Sequence, residues 1–367
     1  MMGWNIFSKN KKHWSLPIVH CSLFILHCSF FIISCSPVRY IAVETHSPAA
    51  LTFAPDMRRI LIVNNAVEQQ RVSFESDIRE VPDSIRISAD STAIDFCRTL
   101  GETIAGFAGF DDVRLLEDAY RKDSQSLLAP LLLQDEIRQL CDEHEIDVVI
   151  SLDRLLFTIK EHTGYTYFYN EFMVGGLIEV NMSGVLRVYL PSRVSPLSTI
   201  ALSDSITPAA PLTILRKDSQ VWEIIFTDDQ TNLLRESAKY LAEEARIHFI
   251  PYWTEDIRWY YKSSDSRWKE AVAFATTEQW DKALNIWQKL YTHTSSWKPK
   301  ARLASNIALG FELTGDLNEA LNYAKLSHQL LRERLEEDDP ALKRHEQYIN
   351  VLSFRIMEEQ RLRLQME

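Results

Sequence analysis

Glu270–Leu290, EAVAFATTEQWDKALNIWQKL, and Ser305–Leu326, SNIALGFELTGDLNEALNYAKL, are two versions of one pattern. With Ala271 laid on Ala308, an offset of 37 residues, Phe274 meets Phe311, Trp280 meets Leu317, Ala283 meets Ala320 and Leu284 meets Leu321. Each copy predicts two helices joined by a tight turn. Small alanines at 271, 283, 308 and 320 let the paired helices approach closely, and Phe274, Trp287 and Phe311 fill the space between neighbours. Gly315-Asp316 supplies the turn of the second copy, because glycine takes positive φ without steric cost. The first copy has Glu278 where that glycine belongs, so its turn is expected to differ.

The pair resembles tetratricopeptide repeats, with a period three residues longer than usual that the linker YTHTSSWKPK, 291–300, absorbs. The resemblance covers two repeats over 265–335, and it implies that the first helix of each lines a concave face. On that face it puts Trp268, Arg302, Ser305, Asn306, Leu309 and Glu312 toward a protein partner, with Arg302 and Asn306 holding peptide backbone or a carboxylate. Two repeats are fewer than usually stand alone. A capping helix within 340–367, with Tyr348, Leu352 and Ile356 on one face, is expected at one end. The aromatic connector of 251–264, which opens with PYWTEDIRWYY, is expected at the other. The competing expectation is that so short an array only packs on its own neighbouring domain.

Upstream the periodicity changes. Arg58–Asn64, RRILIVN, and Ile146–Asp153, IDVVISLD, are short apolar runs with polar ends, as buried strands are. Asp111–Glu117 predicts another strand. Helices are expected after Asp90 or Ser91, carrying Ile94, Cys97, Leu100 and Ile104, and again with Leu133, Ile137, Leu140, Cys141 and His144 on one side. From Leu155 to Ile206 alternating segments punctuated by Gly164, Gly175-Gly176, Gly184 and Pro191 predict antiparallel strands, and a helix closes the region from Gln230 to His248. The fold class is therefore α+β or α/β: a mixed sheet covered by helices over 58–250, followed by an all-α helical-hairpin domain. The layout looks like the small α/β domain of envelope lipoproteins of the curli-secretion and penicillin-binding-protein-activator types, a likeness that transfers no function.

The N-terminus gives an address. Lys9, Lys11 and Lys12 precede an apolar run from Trp14 to Ile33, which predicts an export signal over 1–34. Ile32-Ile33-Ser34-Cys35 resembles a bacterial lipobox, which implies a lipidated Cys35, palmitate included; the mixed composition that follows reads as a tether over 35–57 with room for one short strand. His20, His27 and Pro17, with no basic cluster after Cys35, argue against a membrane-spanning helix. Ser36 after the cysteine resembles outer-membrane cargo, and the missing acidic cluster points to the periplasmic face. A formal charge of −11 without a basic patch excludes nucleic acid as a partner.

Taken together, CSPVRYIAVETHSPA from Cys35, RRILIVNNA from Arg58, PYWTEDIRWYY from Pro251 and the repeat pair are similar to an uncharacterised family of Bacteroidota lipoproteins, domain-of-unknown-function family 6340. That resemblance implies an envelope location and repeats, with no activity or catalytic residues. Phosphate-loop, nucleophile-elbow, zinc-protease and C-x-x-C motifs are absent, and no cofactor is implied. Cys141 and His144 with Glu145 make too few ligands for a metal site and are expected as a buried thiol beside a histidine. His162 beside Glu161 has no nucleophile to activate. Cys97 and Cys141 sit on apolar helical stripes, as small buried thiols do. Tyr165, Tyr167 and Tyr169 share one strand face and form a candidate glycan platform, with sheet packing the plainer reading. The expectation is a non-enzymatic lipoprotein that binds an envelope protein; the alternative is an outer-membrane glycan binder.

Overall fold

The computed structural model describes residues 38–77, 89, 91–116, 118–121, 126–168, 171–207 and 230–366. The expected signal segment, Cys35, Asp90 and Tyr169 lie outside them. The chain divides into a helical unit, residues 1–44 with 255–356, and an α/β unit, residues 45–254 with 357–367. The strands are β1 (Val38–Ser47), β2 (Arg59–Asn64), β3 (Ser73–Ser76), β4 (Asp112–Leu116), β5 (Val148–Phe168), β6 (Glu171–Tyr189), β7 (Ser198–Ile206) and β8 (Tyr252–Tyr261).

In the α/β unit six strands run β4-β2-β5-β6-β7, with β3 also paired to β5. Strand β2 is parallel to both β4 and β5, whereas β5, β6 and β7 are antiparallel. The sheet is mixed and helix-covered, as its sequence pattern predicts. Its parallel core is apolar on both faces because helices lie on both. Ile60 and Ile62 pack with α1 (Thr92–Ala105) through Phe96, Cys97, Leu100 and Ile104. Leu61 and Val63 point the other way, to Ile137, Leu140 and Cys141 of α2 (Gln134–His144). Gly101 belongs to this packing, since a Cβ there would sit 3.3 Å from Ile62 Cδ1. Helix α3 (Gln230–Ala245), continued by a 3₁₀ turn at Arg246–His248, adds Leu234, Ala238, Leu241 and Ala245 to the Ile60 side. Cys97 and Cys141 are free and buried; burial pushes the Cys97 thiol far up and that of Cys141 to about 11.

In the helical unit the two hairpins are α4 (Ser266–Thr276) with α5 (Trp280–His293) and α6 (Trp297–Thr314) with α7 (Leu317–Arg332), followed by α8 (Pro340–Met366). Ala271, Ala283, Ala308 and Ala320 are all fully buried where the helices meet. Tyr348 and Leu352 of α8 close the array over Ala308, Ala320 and Ala324. Among the described residues no helix is long and apolar enough to cross a membrane.

Two expectations change. The stretch 35–57 is not wholly a tether, because residues 38–47 form β1, which pairs with β8; Val38 and Ile41 pack against the helical core. The turn at Glu278 does not differ from its counterpart. Glu278 adopts φ 57° where Gly315 adopts φ 92°. Glu278 N–H donates to Ala275 O and Gln279 N–H to Phe274 O, as Gly315 N–H does to Glu312 O and Asp316 N–H to Phe311 O. The repeat geometry thus forces a non-glycine into the left-handed region, at about 1–2 kcal/mol. Glycine carries its own entropic cost of about 0.5–1 kcal/mol. Glu278→Gly should therefore raise stability by up to about 1 kcal/mol in urea denaturation; a lowered midpoint would contradict the strain.

Candidate functional site

The concave face of the hairpins is occupied by the chain's own strand. Trp268 and the α6 residues Ser305, Asn306, Leu309 and Glu312, expected to face a partner, are each 4% exposed or less. The occupant is the end of β8, Arg258 to Tyr261. Asn306 grips the backbone of Tyr261 at two successive peptide groups: its Oδ1 accepts from the Tyr261 N–H at 2.7 Å, and its Nδ2 donates to the Tyr261 carbonyl at 2.9 Å. Trp268 Nε1 donates to the same carbonyl at 2.8 Å. Asn306 is expected to hold a partner's peptide backbone or carboxylate; the backbone it holds here is the chain's own. Tyr260 is fully buried beside Trp287, their ring centroids 6.2 Å apart.

Glu312, also read as a ligand contact, is the buried anion that fixes the preceding residue. Its carboxylate accepts from Arg258 Nε at 3.0 and 3.3 Å, from the Tyr348 hydroxyl at 2.6 Å and from Arg355 Nη1. Arg258, almost as buried, also donates from Nη2 to Asp256 at 3.2 Å. Burial and the adjacent Glu312 hold the Tyr348 hydroxyl well above the usual tyrosine range, so it stays a donor. The buried pair Arg258 and Glu312 is thus satisfied by partners that include the more exposed Arg355 and Asp256, which is the condition for burying charges at all.

Arg302 is the exception among the six. It is half-buried, and its guanidinium lies 5.3 Å from the centre of the Tyr261 ring. On α8, His345 packs against the same strand, near-parallel to Tyr261 and edge-on to Trp259. Its Nδ1 pairs with Ala341 O at 2.7 Å while Nε2 has no partner, and burial lowers its pKa to about 4.

The α/β unit holds a second polar cluster, which sequence reasoning passed over. β2 leads to α1 and then to β4 on one flank, and β4 leads through α2 on the opposite face back to β5 on the other flank. The switch in connection direction therefore lies between β2 and β5, at the carboxyl end of β2. Asp153 sits beside it, within β5. A bulge between Leu152 and Arg154 sets Asp153 off the ladder, and its carboxylate accepts from Ser151 Oγ at 2.5 Å, Asn65 Nδ2 at 2.9 Å and Arg187 Nη1 at 2.5 Å. Burial raises its pKa against the lowering influence of those partners. The Ser151 hydroxyl spends its proton on this carboxylate, so the cluster contains no activated nucleophile. The one available signal was a polar residue ending each apolar strand.

Of the other candidates, Tyr165 and Tyr167 of β5 stand in register with Val174 and Phe172 of β6. Cys141 packs in the apolar core under α2, and His144 is half-buried at the helix end. Among the described residues no group of three or more His, Cys, Asp or Glu is placed to hold a metal. His162 lies between two carboxylates, with Nδ1 2.7 Å from Asp77 Oδ2 and Nε2 3.1 Å from Glu179 Oε2, and these raise its pKa.

Removing the Asn306 clamp leaves the Tyr261 N–H buried and unpaired, so Asn306→Ala should lose about 1–3 kcal/mol in urea denaturation. Glu312→Gln, which strands Arg258, should lose about 3–5 kcal/mol; near-neutral values would show an open, solvated groove. The two histidines act in opposite senses. His345 is depressed on folding, so its contribution is present above about pH 6.5 and is lost as pH falls toward 4, by about 3 kcal/mol. His345→Phe should flatten that slope in unfolding measured across the window. His162 is raised on folding, so its contribution is present below pH 6.5 and is lost as pH rises through its folded pKa. A proton-titration pKa for His162 below 6.5 would contradict the bridge.

Comparison with known proteins adds two family matches. One model, Domain of unknown function (DUF6340), covers residues 269–354, and another, Domain of unknown function (DUF8603), covers residues 57–261. The family-6340 likeness thus holds for the hairpins and α8, whereas RRILIVNNA and PYWTEDIRWYY fall in the second match. No curated protein matches. Solved structures similar to the chain include a PelC dodecamer from Paraburkholderia phytofirmans, at 10% identity over 57% of this chain and 98% of that one, with a TM-score of 0.23. A protein described as a neuraminyllactose-binding hemagglutinin homologue from Helicobacter pylori aligns at 13% identity over 55% of this chain and 89% of that one, with a TM-score of 0.27. At such TM-scores neither carries an argument. With more than half its length matched by one model, the chain belongs to the family described as Domain of unknown function (DUF8603).

Proposed function

We propose that this protein is a non-enzymatic cell-envelope lipoprotein, anchored through Cys35, that acts as an assembly or interaction scaffold at the periplasmic face of the outer membrane. The observation that carries the non-catalytic part is the internal pairing of three buried polar groups. Glu312, Asn306 and Asp153, the buried groups best able to do chemistry or hold a ligand, all spend their hydrogen-bonding capacity inside the chain. The address rests on the run of Ile32-Ile33-Ser34-Cys35 after an apolar segment. Because β8 fills the concave face, the envelope protein partner is met by outer surfaces of the hairpins, and Trp268, Ser305, Asn306, Leu309 and Glu312 serve the fold.

A glycan-binding reading keeps one point of support. Among the described residues β3 pairs with β5 as far as Glu161 and β7 pairs with β6 from Val180, and Tyr165 and Tyr167 lie further along β5. Loss of retardation in a polysaccharide affinity gel on changing both tyrosines to alanine would promote it over the scaffold.

The anchor is tested in cells. Wild type is expected to incorporate labelled palmitate and fractionate with membranes, and Cys35→Ala is expected to lose the label and keep its full N-terminal extension. A Cys35→Ala protein that is processed and labelled like wild type would overturn the lipoprotein assignment.

A further inference from the structure

The helical unit carries a cationic, aromatic surface beside the point where the chain leaves for Cys35. Arg302 Cζ lies 5.3 Å from the Tyr261 ring centre and Arg344 Cζ lies 5.7 Å from that of Trp259. Both arginines are half-buried, and among the described residues neither forms an ion pair. The more deeply buried arginine nearby, Arg258, is by contrast tied to two carboxylates. Tyr40, on the strand paired with β8, is 57% exposed.

The length of chain before β1 says what covers this surface. Only Ser36 and Pro37 separate Cys35 from Val38, which is already packed into the helical core. Three Cα–Cα steps reach at most roughly 11 Å. A lipid on Cys35 places that residue at the bilayer interface, so Tyr40 is held within a few residues of the headgroups. Exposed tyrosines and guanidiniums are the side chains that suit this layer. We infer that Tyr40, Arg302 and Arg344 form a docking surface for the phosphate headgroups of an anionic bilayer, which lays the helical unit on the membrane instead of letting it hang from a tether. The inference rests on the lipoprotein reading of Cys35.

The test uses the full-length protein purified from cells in its processed form and reconstituted into phosphatidylcholine vesicles with or without phosphatidylglycerol. A Tyr40→Cys variant carries an environment-sensitive fluorophore, Cys97 and Cys141 being buried. Nitroxide lipids labelled near the headgroup should quench it, and more strongly with phosphatidylglycerol present. Arg302→Gln and Arg344→Gln should each cut the phosphatidylglycerol-dependent part by roughly five-fold, with near-ultraviolet dichroism confirming that the variants stay folded. Palmitate on the protein with an unquenched label, or quenching indifferent to both arginines and phosphatidylglycerol, would overturn the docking surface and leave the anchor standing. Absence of palmitate would remove the anchor, and the inference with it.

Discussion

The backbone of one residue organises the helical unit: Tyr261, whose N–H and carbonyl are both held by Asn306 and whose carbonyl is also held by Trp268. A buried backbone amide must find partners, and here they come from the two helices that in a longer array would face a ligand. The same strand brings Arg258 to Glu312 and Tyr260 to Trp287, so polar satisfaction and apolar burial converge on four residues. Two hairpins expose more apolar surface than they bury between themselves. A strand that fills the concave face and a helix that closes the Ala308 side supply what further repeats would have given.

Much of this was legible in the sequence, for local reasons. Alanines at 271, 283, 308 and 320 mark close helix contacts whatever lies around them, and the 37-residue offset fixes the second hairpin from the first. Val148–Ile150 reads as a buried strand because β-branched residues run unbroken between polar ends. The chemistry of Asn306 was legible as well, as a side chain suited to peptide backbone. The identity of that backbone was not, because Tyr261 lies 45 residues away and nothing in PYWTEDIRWYY names its destination. Glu312 tells the same story. A lone carboxylate inside an apolar helix looks like a ligand contact until Arg258 and Arg355 are seen on it.

The misread turn at Glu278 carries a different lesson. Residue type predicts what a position prefers, whereas the repeat geometry decides what it must do, and the second wins when the helices on either side are well packed. β1 was obscured in the opposite way. Its residues have ordinary strand character, but they pair with a strand more than two hundred positions away, and a mixed composition hid the pattern. Asp153 shows a third case, in which a polar residue that looks like the end of a strand lies at a bulge within β5 and is buried on Arg187, Ser151 and Asn65.

Whether the strand is a permanent part of the hairpin unit or a tenant is decided by hydrogen exchange at the Tyr261 amide in the intact protein. Exchange as slow as that of Ile307 and Ala308, requiring global opening of the unit, is the expected result. Exchange at the pace of an exposed loop amide, with α6 still protected, would mean that the groove empties on its own and remains open to a partner.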